Sequence, residues 1–230
     1  MNLTLRNAFI VSFIVLTAIL ASNVIASLYN DFSGDNTTAT FIAAIIMQVI
    51  IVLGLFNLSK LESFVLFESS EKKLKTLFKS GFCYFVAVLV FGILIVGQIS
   101  NFVLENLFGI SLELQPSVDL LLNAKTSHTY ILAALAVGIF APIAEELLFR
   151  AVIFRGLKSK FTTIGAMIIS SIIFALVHYS LSNFAALFTI GIIFCIAYEK
   201  SKDIRVPMIA HSLFNFFNFL FIFYFGRAEI

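Results

Sequence analysis

Apolar stretches of about 20 residues recur along this chain, the length a helix needs to cross the roughly 30 Å hydrocarbon layer of a bilayer. On that ground seven candidate spans can be drawn, at about 7–27, 40–58, 81–99, 130–155, 163–181, 183–199 and 207–225. A backbone in lipid must satisfy its own hydrogen bonds, which leaves helices or a closed barrel. Barrel strands alternate polar and apolar residues, whereas these runs are continuously apolar. The sequence therefore predicts an all-α fold, a polytopic transmembrane helical bundle. With 60% of residues hydrophobic and 12% charged, a soluble globular domain is excluded. The net charge of +2 is scattered, leaving no basic patch for nucleic acid.

Connections between the runs alternate in charge. Residues 59–80 carry Lys60, Lys72, Lys73, Lys75 and Lys79, the turn after the fourth span has Arg155, Lys158 and Lys160, and that after the sixth has Lys200, Lys202 and Arg205. Residues 28–39 and 180–183 hold no lysine or arginine, and 100–129 holds only Lys125. By the positive-inside rule the N-terminus, with Arg6, is expected inside and the C-terminus outside. The first span reads as an uncleaved helix rather than a signal peptide ending at Val24-Ile25-Ala26, since its positive region is one arginine and its apolar stretch is long. Residues 60–80 are expected to form an amphipathic helix at the inner surface, with Leu61, Phe64, Val65, Leu74, Leu77 and Phe78 opposed to lysines. The segment 101–129, with Pro116, is expected as an outer loop with interfacial pieces. Cys83 and Cys195 lie in apolar runs outside any Cys-x-x-Cys pairing and read as small buried hydrophobes. One membrane-embedded domain results, made of N-terminal helices (1–129), a motif-bearing core (130–217) and the end of the last helix with a short tail (218–230).

Glu145, Glu146 and Arg150 are the only charges between Ile131 and Phe154. A charge near the bilayer centre costs about 2.5–3.5 kcal/mol on insertion scales, so such a cluster marks a site facing the bundle interior or a wet cavity. Pro142 lacks a donor and frees a carbonyl one turn earlier, which predicts a kink or a restart of the helix. Glu146 and Arg150, four apart, share a face and can form an ion pair. Glu145 is turned about 100° from Glu146 by the helical period and has no local partner. Glu145 is thus the better general base and Glu146 the structural acid, unless all three form an ion-pair network for packing alone.

Phe174 and His178 are also four apart, so the ring can pack beside the imidazole, and His211 and Asn215 project donors from one face. Each has a bland reading: His178 as an interfacial residue, and His211, Asn215 and Asn218 as hydrogen-bonding glue between helices. His128, in the outer loop, reads as solvated surface. Together, an acid pair, two imidazoles and an amide supply a base, an orienting group and oxyanion donors for hydrolysis. Span arithmetic sets Glu145 near mid-membrane, His211 toward the inner side and His178 toward the outer, so convergence requires tilted or broken helices.

Glu145-Glu146-Leu147-Leu148-Phe149-Arg150, then Phe174-Ala175-Leu176-Val177-His178, then His211-Ser212-Leu213-Phe214-Asn215 resembles the CPBP (Abi) family, the CAAX-type intramembrane endopeptidases. The resemblance covers roughly residues 130–217. Where the family often has two glycines four apart, this chain has Gly191 and Cys195. The resemblance implies a peptide or protein substrate at the bilayer and a setting in a bacterial cytoplasmic membrane. It implies that Glu145 and His178 activate water, that His211 and Asn215 stabilise the oxyanion, and that Glu146 and Arg150, with Phe174, support the site. It further implies either a metal-free glutamate mechanism, the reading preferred here, or a zinc protease with Glu145, His178 and His211 as ligands. Two other readings of the same residues are a non-catalytic immunity or regulatory protein of the same fold, and a proton-coupled transporter. No repeated half with a matching interrupted helix supports the latter.

Overall fold

The computed structural model describes residues 5–62, 65–67, 71–110 and 116–226. Phe64 of the expected amphipathic segment lies outside them. Every regular element is helical among the described residues. In chain order these are α1 (Leu5–Ser33), α2 (Asn36–Leu61), α3 (Leu74–Phe108), α4 (Pro116–Leu122), α5 (Ser127–Leu157), α6 (Thr163–Leu176), α7 (Phe184–Ser201) and α8 (Arg205–Phe225). Six of them, all but α4 and α6, are long and apolar enough to cross a membrane.

The expected seven spans are thereby corrected to six. The segment 163–181 forms only the 14 residues of α6, about 21 Å at 1.5 Å per residue and short of the roughly 30 Å layer. Polar side chains beyond Leu176 take up local bonds that compete with the helix, as Asn183 does in donating to Ser180 Oγ at 2.9 Å. Tyr179 adopts a left-handed φ of 51° and completes the break. Among the described residues of 60–80, the expected interfacial helix is also not formed. Residues 65–67 and 71–73 are not helical, and Leu74, Leu77 and Phe78 belong to the opening turns of α3. At its other end α3 absorbs residues 101–108 of the expected loop and stops at Gly109, whose φ of 64° suits a helix C-terminus. Cys195 is buried as expected, but Cys83 is exposed on α3.

Helix α5 continues through Pro142, which stands in the first turn of a new α segment. That six-residue segment, Ala141–Glu146, is flanked by π-helical stretches at Ala136–Phe140 and Leu147–Phe154. Such wide turns inside helices are frequent at functional sites. The other ends follow ordinary capping rules. Asp35 caps α2 by accepting from Thr38 N–H at 3.0 Å. The Thr38 hydroxyl, which also donates to Asp35, holds that carboxyl below its ordinary range. Thr38 in turn shares a 2.7 Å bond with Thr129, tying α2 to the start of α5.

One core unites α1, α2 and α5 through buried residues such as Val11, Leu55, Leu58, Leu147 and Phe154. A second is built by α3 and α5 to α8 around Val88, Phe149, Phe174, Phe194 and Phe214. Large side chains left outside, among them Phe13, Leu28, Phe91, Leu94 and Phe102, give the apolar exterior that a bilayer covers. The basic stretches lie together. Lys72 donates to Ser201 O at 3.0 Å, Arg155 to Val65 O at 2.7 Å, and Lys158 and Lys202 both pair with Glu199. These bonds gather the chain before α3, the end of α5 and the end of α7 at one end of the bundle.

Gly191 brings α7 against α6. A Cβ there would lie 2.9 Å from Ser171 Cβ and 3.1 Å from its Cα, atoms that cannot rotate away. Gly191→Ala is therefore expected to destabilise the protein by about 1–3 kcal/mol through overpacking, read as a lower thermal midpoint in detergent. An unchanged midpoint would show that the two helices separate freely.

Candidate active site

Glu145 and Glu146 leave α5 in different directions, as their helical phase requires. Glu146 is fully buried, and Arg150, 1% exposed, donates from Nη1 to Glu146 Oε1 at 3.1 Å. The second guanidinium nitrogen, Nη2, donates to Gly191 O at 3.3 Å. The Phe174 and Phe194 rings lie 4.7 and 5.2 Å from the guanidinium carbon, within cation–π reach. The expected ion pair is present, enclosed by aromatic rings and anchored to α7.

His211 meets the same carboxylate, with Nδ1 2.8 Å from Glu146 Oε1. That oxygen already accepts from Arg150, and an ionised carboxylate can only accept, so His211 Nδ1 carries the proton of this bond. Its Nε2 then points toward Glu145 Oε2, 3.9 Å away. The His211 ring stacks on Phe194 at 4.8 Å and meets Phe174 edge-on at 6.1 Å. Glu145 makes neither an ion pair nor a hydrogen bond with Arg150. Its side chain is 29% exposed toward the cavity, and its Oε2 has no hydrogen-bond partner.

His178 sits in the turn after α6 rather than inside a span. The expected packing on Phe174 is present, with ring centroids 4.7 Å apart. His178 Nδ1 lies 2.7 Å from Phe174 O and must donate to it, because a carbonyl only accepts. Both imidazoles are thus fixed through Nδ1, leaving Nε2 as the working nitrogen. The depth conflict in the span arithmetic does not keep the three residues apart. In the folded chain His211 Nε2 comes within 3.9 Å of Glu145 Oε2, and His178 opens onto the same cavity as both.

Asn215 Nδ2 donates to Val137 O at 2.8 Å. The reason lies in α5. Its π register carries Ala141 N–H to Ala136 O, and the next bond would run from residue 142 to Val137 O. Residue 142 is proline and has no N–H, so Asn215 supplies the missing donor and retains one further N–H.

Glu145, His178, His211 and Asn215 line one cavity of about 630 Å³. Phe174 lines it too, while Glu146 and Arg150 lie behind the wall. Asn218 also lines the cavity, and His128 is exposed at the start of α5. Sequence reasoning missed Gln48 on α2, which lines the cavity as well. An amide amid apolar residues of a spanning helix was the signal that could have found it.

Two imidazoles and a carboxylate are donor types of a catalytic zinc set. Among the described residues, however, no three His, Cys, Asp or Glu side chains stand close enough to hold a metal ion. Glu145, His178 and His211 as arranged here do not fit a three-ligand zinc centre.

Residues 127–217 match the family model described as type II CAAX prenyl endopeptidase, Rce1-like. The chain is 34% identical over 134 residues to the putative membrane peptidase YdiL of Bacillus subtilis, covering 58% of this chain and 51% of that protein. It is 34% identical over 143 residues to the membrane-embedded CAAX protease MroQ of Staphylococcus aureus, covering 59% of this chain and 56% of that one. The chain spans about half the length of these relatives. No solved structure matches it.

Proposed function

We propose that this integral membrane protein is an intramembrane endopeptidase of the Rce1-like CAAX prenyl endopeptidase family, whose model residues 127–217 match, using a glutamate-activated water. The observation that carries this reading is the shared cavity, where Glu145, His178 anchored through Nδ1, His211 and Asn215 meet. Charged and polar groups inside a membrane bundle are costly and are retained for chemistry.

Glu145 takes one proton from a water whose other O–H donates a hydrogen bond to His178 Nε2, and the water oxygen, keeping that hydrogen, attacks the scissile carbonyl carbon. The developing oxyanion accepts hydrogen bonds from the second N–H of Asn215 and from His211, whose ring Glu146 holds through Nδ1. Glu145 then returns its proton to the amide nitrogen as the C–N bond breaks. Carboxyl and amine products leave, and the enzyme is regenerated. Arg150 pairs with Glu146 and holds it in register. The gathered basic residues support an orientation with that end, and the N-terminus, in the cytoplasm of a bacterial cell.

The reading is tested by incubating the purified protein in proteoliposomes with peptides extracted from bacterial membranes and sequencing new termini by mass spectrometry. New termini are expected, and their rate of appearance should be unchanged after dialysis against a metal chelator. A tenfold loss restored by zinc would replace the metal-free mechanism. No cleavage by the intact protein would overturn the peptidase reading.

A further inference from the structure

The α2 helix lies outside the segment that matches the family, yet it forms part of the cavity wall. Phe41, Ala44 and Gln48 recur at helical spacing, share a face, and all line the cavity. Gln48 is the polar member, set between Met47 and Val49 in a run from Phe41 to Ile51 that is otherwise apolar. The residue is 8% exposed, and its Oε1 meets no hydrogen-bond donor. Buried amide oxygens are normally bonded, because desolvation without a partner is unfavourable. Two other cavity amides donate elsewhere, Asn215 to Val137 O and Asn183 to Ser180 Oγ. Neither Glu145 nor His178 Nε2 can serve Gln48, since both are acceptors in the state described above.

A peptide entering this cavity has the complementary need. Its backbone N–H groups leave water and require acceptors at membrane depth. We propose that Gln48 is a substrate-binding residue, accepting through Oε1 a hydrogen bond from one backbone N–H of the bound peptide. This rests on the peptidase reading and extends it to a residue of the N-terminal half. The bond selects for an extended chain and against proline at that one substrate position, because proline has no N–H to give. It also makes α2 a register mark that fixes which peptide bond faces Glu145.

The test uses the full chain carrying Glu145→Gln, which binds without turnover, in detergent micelles. The probe is a fluorescent twelve-residue alanine–leucine peptide and a series in which one amide N–H at a time is replaced by an ester oxygen. One ester position is expected to weaken binding about tenfold, and Gln48→Leu in the same background should bind that ester and the parent amide equally. Gln48→Leu removes a stranded amide, so its thermal midpoint should hold or rise, which separates lost recognition from unfolding. Ester effects identical in the two proteins at every position would overturn the role of Gln48 while leaving the peptidase reading standing. Failure of the parent peptide to bind either protein would overturn both.

Discussion

Glu145→Gln is expected to lower the cleavage rate by about 10²–10⁴-fold, the range typical of losing a general base, with the thermal midpoint in detergent nearly unchanged. The two halves of that expectation come from different observations. Glu145 makes no hydrogen bond through Oε2 and no ion pair with Arg150, so the isosteric amide disturbs little of what holds the bundle together. Yet its carboxylate is the unengaged proton acceptor beside His211 Nε2, and an amide cannot take a proton from water. The pair of measurements is turnover on a membrane peptide and the melting curve of the same preparation. Retained turnover would move the base to His178 or His211. Lost turnover together with a collapsed midpoint would recast Glu145 as a structural acid.

Arg150→Met should act in the opposite way, on folding first. Removing one partner of a buried ion pair leaves the other charge uncompensated, at a cost of about 3–5 kcal/mol. Here that charge is on Glu146, which is fully buried and bonded otherwise only to His211. The same substitution removes the guanidinium from among Phe149, Phe174 and Phe194 and cuts the bond to Gly191 O. Adding Glu146→Met should recover most of the lost stability, because a matched apolar pair can replace a buried ion pair. Activity should stay lost, since His211 then has no acceptor for its Nδ1 proton. A single Arg150→Met variant as stable as the parent would mean that Glu146 is held by something other than charge.

Much of the site was legible because its logic is local. The four-residue spacing of Glu146 and Arg150 is enough to predict an ion pair, and the same spacing predicts that Phe174 packs on His178; both contacts are present. The bundle architecture was legible from apolar run length alone. The end of α6 was not, because hydropathy does not register the side-chain bonds of Ser180 and Asn183 that stop it. The anchoring of both imidazoles through Nδ1 depends on partners 65 residues away for His211 and on a backbone carbonyl for His178. Neither partner is visible in a motif. Gln48 escaped notice because a single amide in an apolar helix has no companion at helical spacing to mark it. Its significance appears only when the cavity wall is assembled.

The bond from Asn215 to Val137 has a consequence for how this site can vary. Pro142 stands less than one turn before Glu145 and acts on the site through a carbonyl it fails to satisfy. A residue with an N–H at position 142 would compete for Val137 O and release the Asn215 side chain to rotate. An imino acid on one helix is thereby the aiming device for an amide on another. Drift at either position would leave the acids and imidazoles untouched while the oxyanion lost a properly directed neighbour.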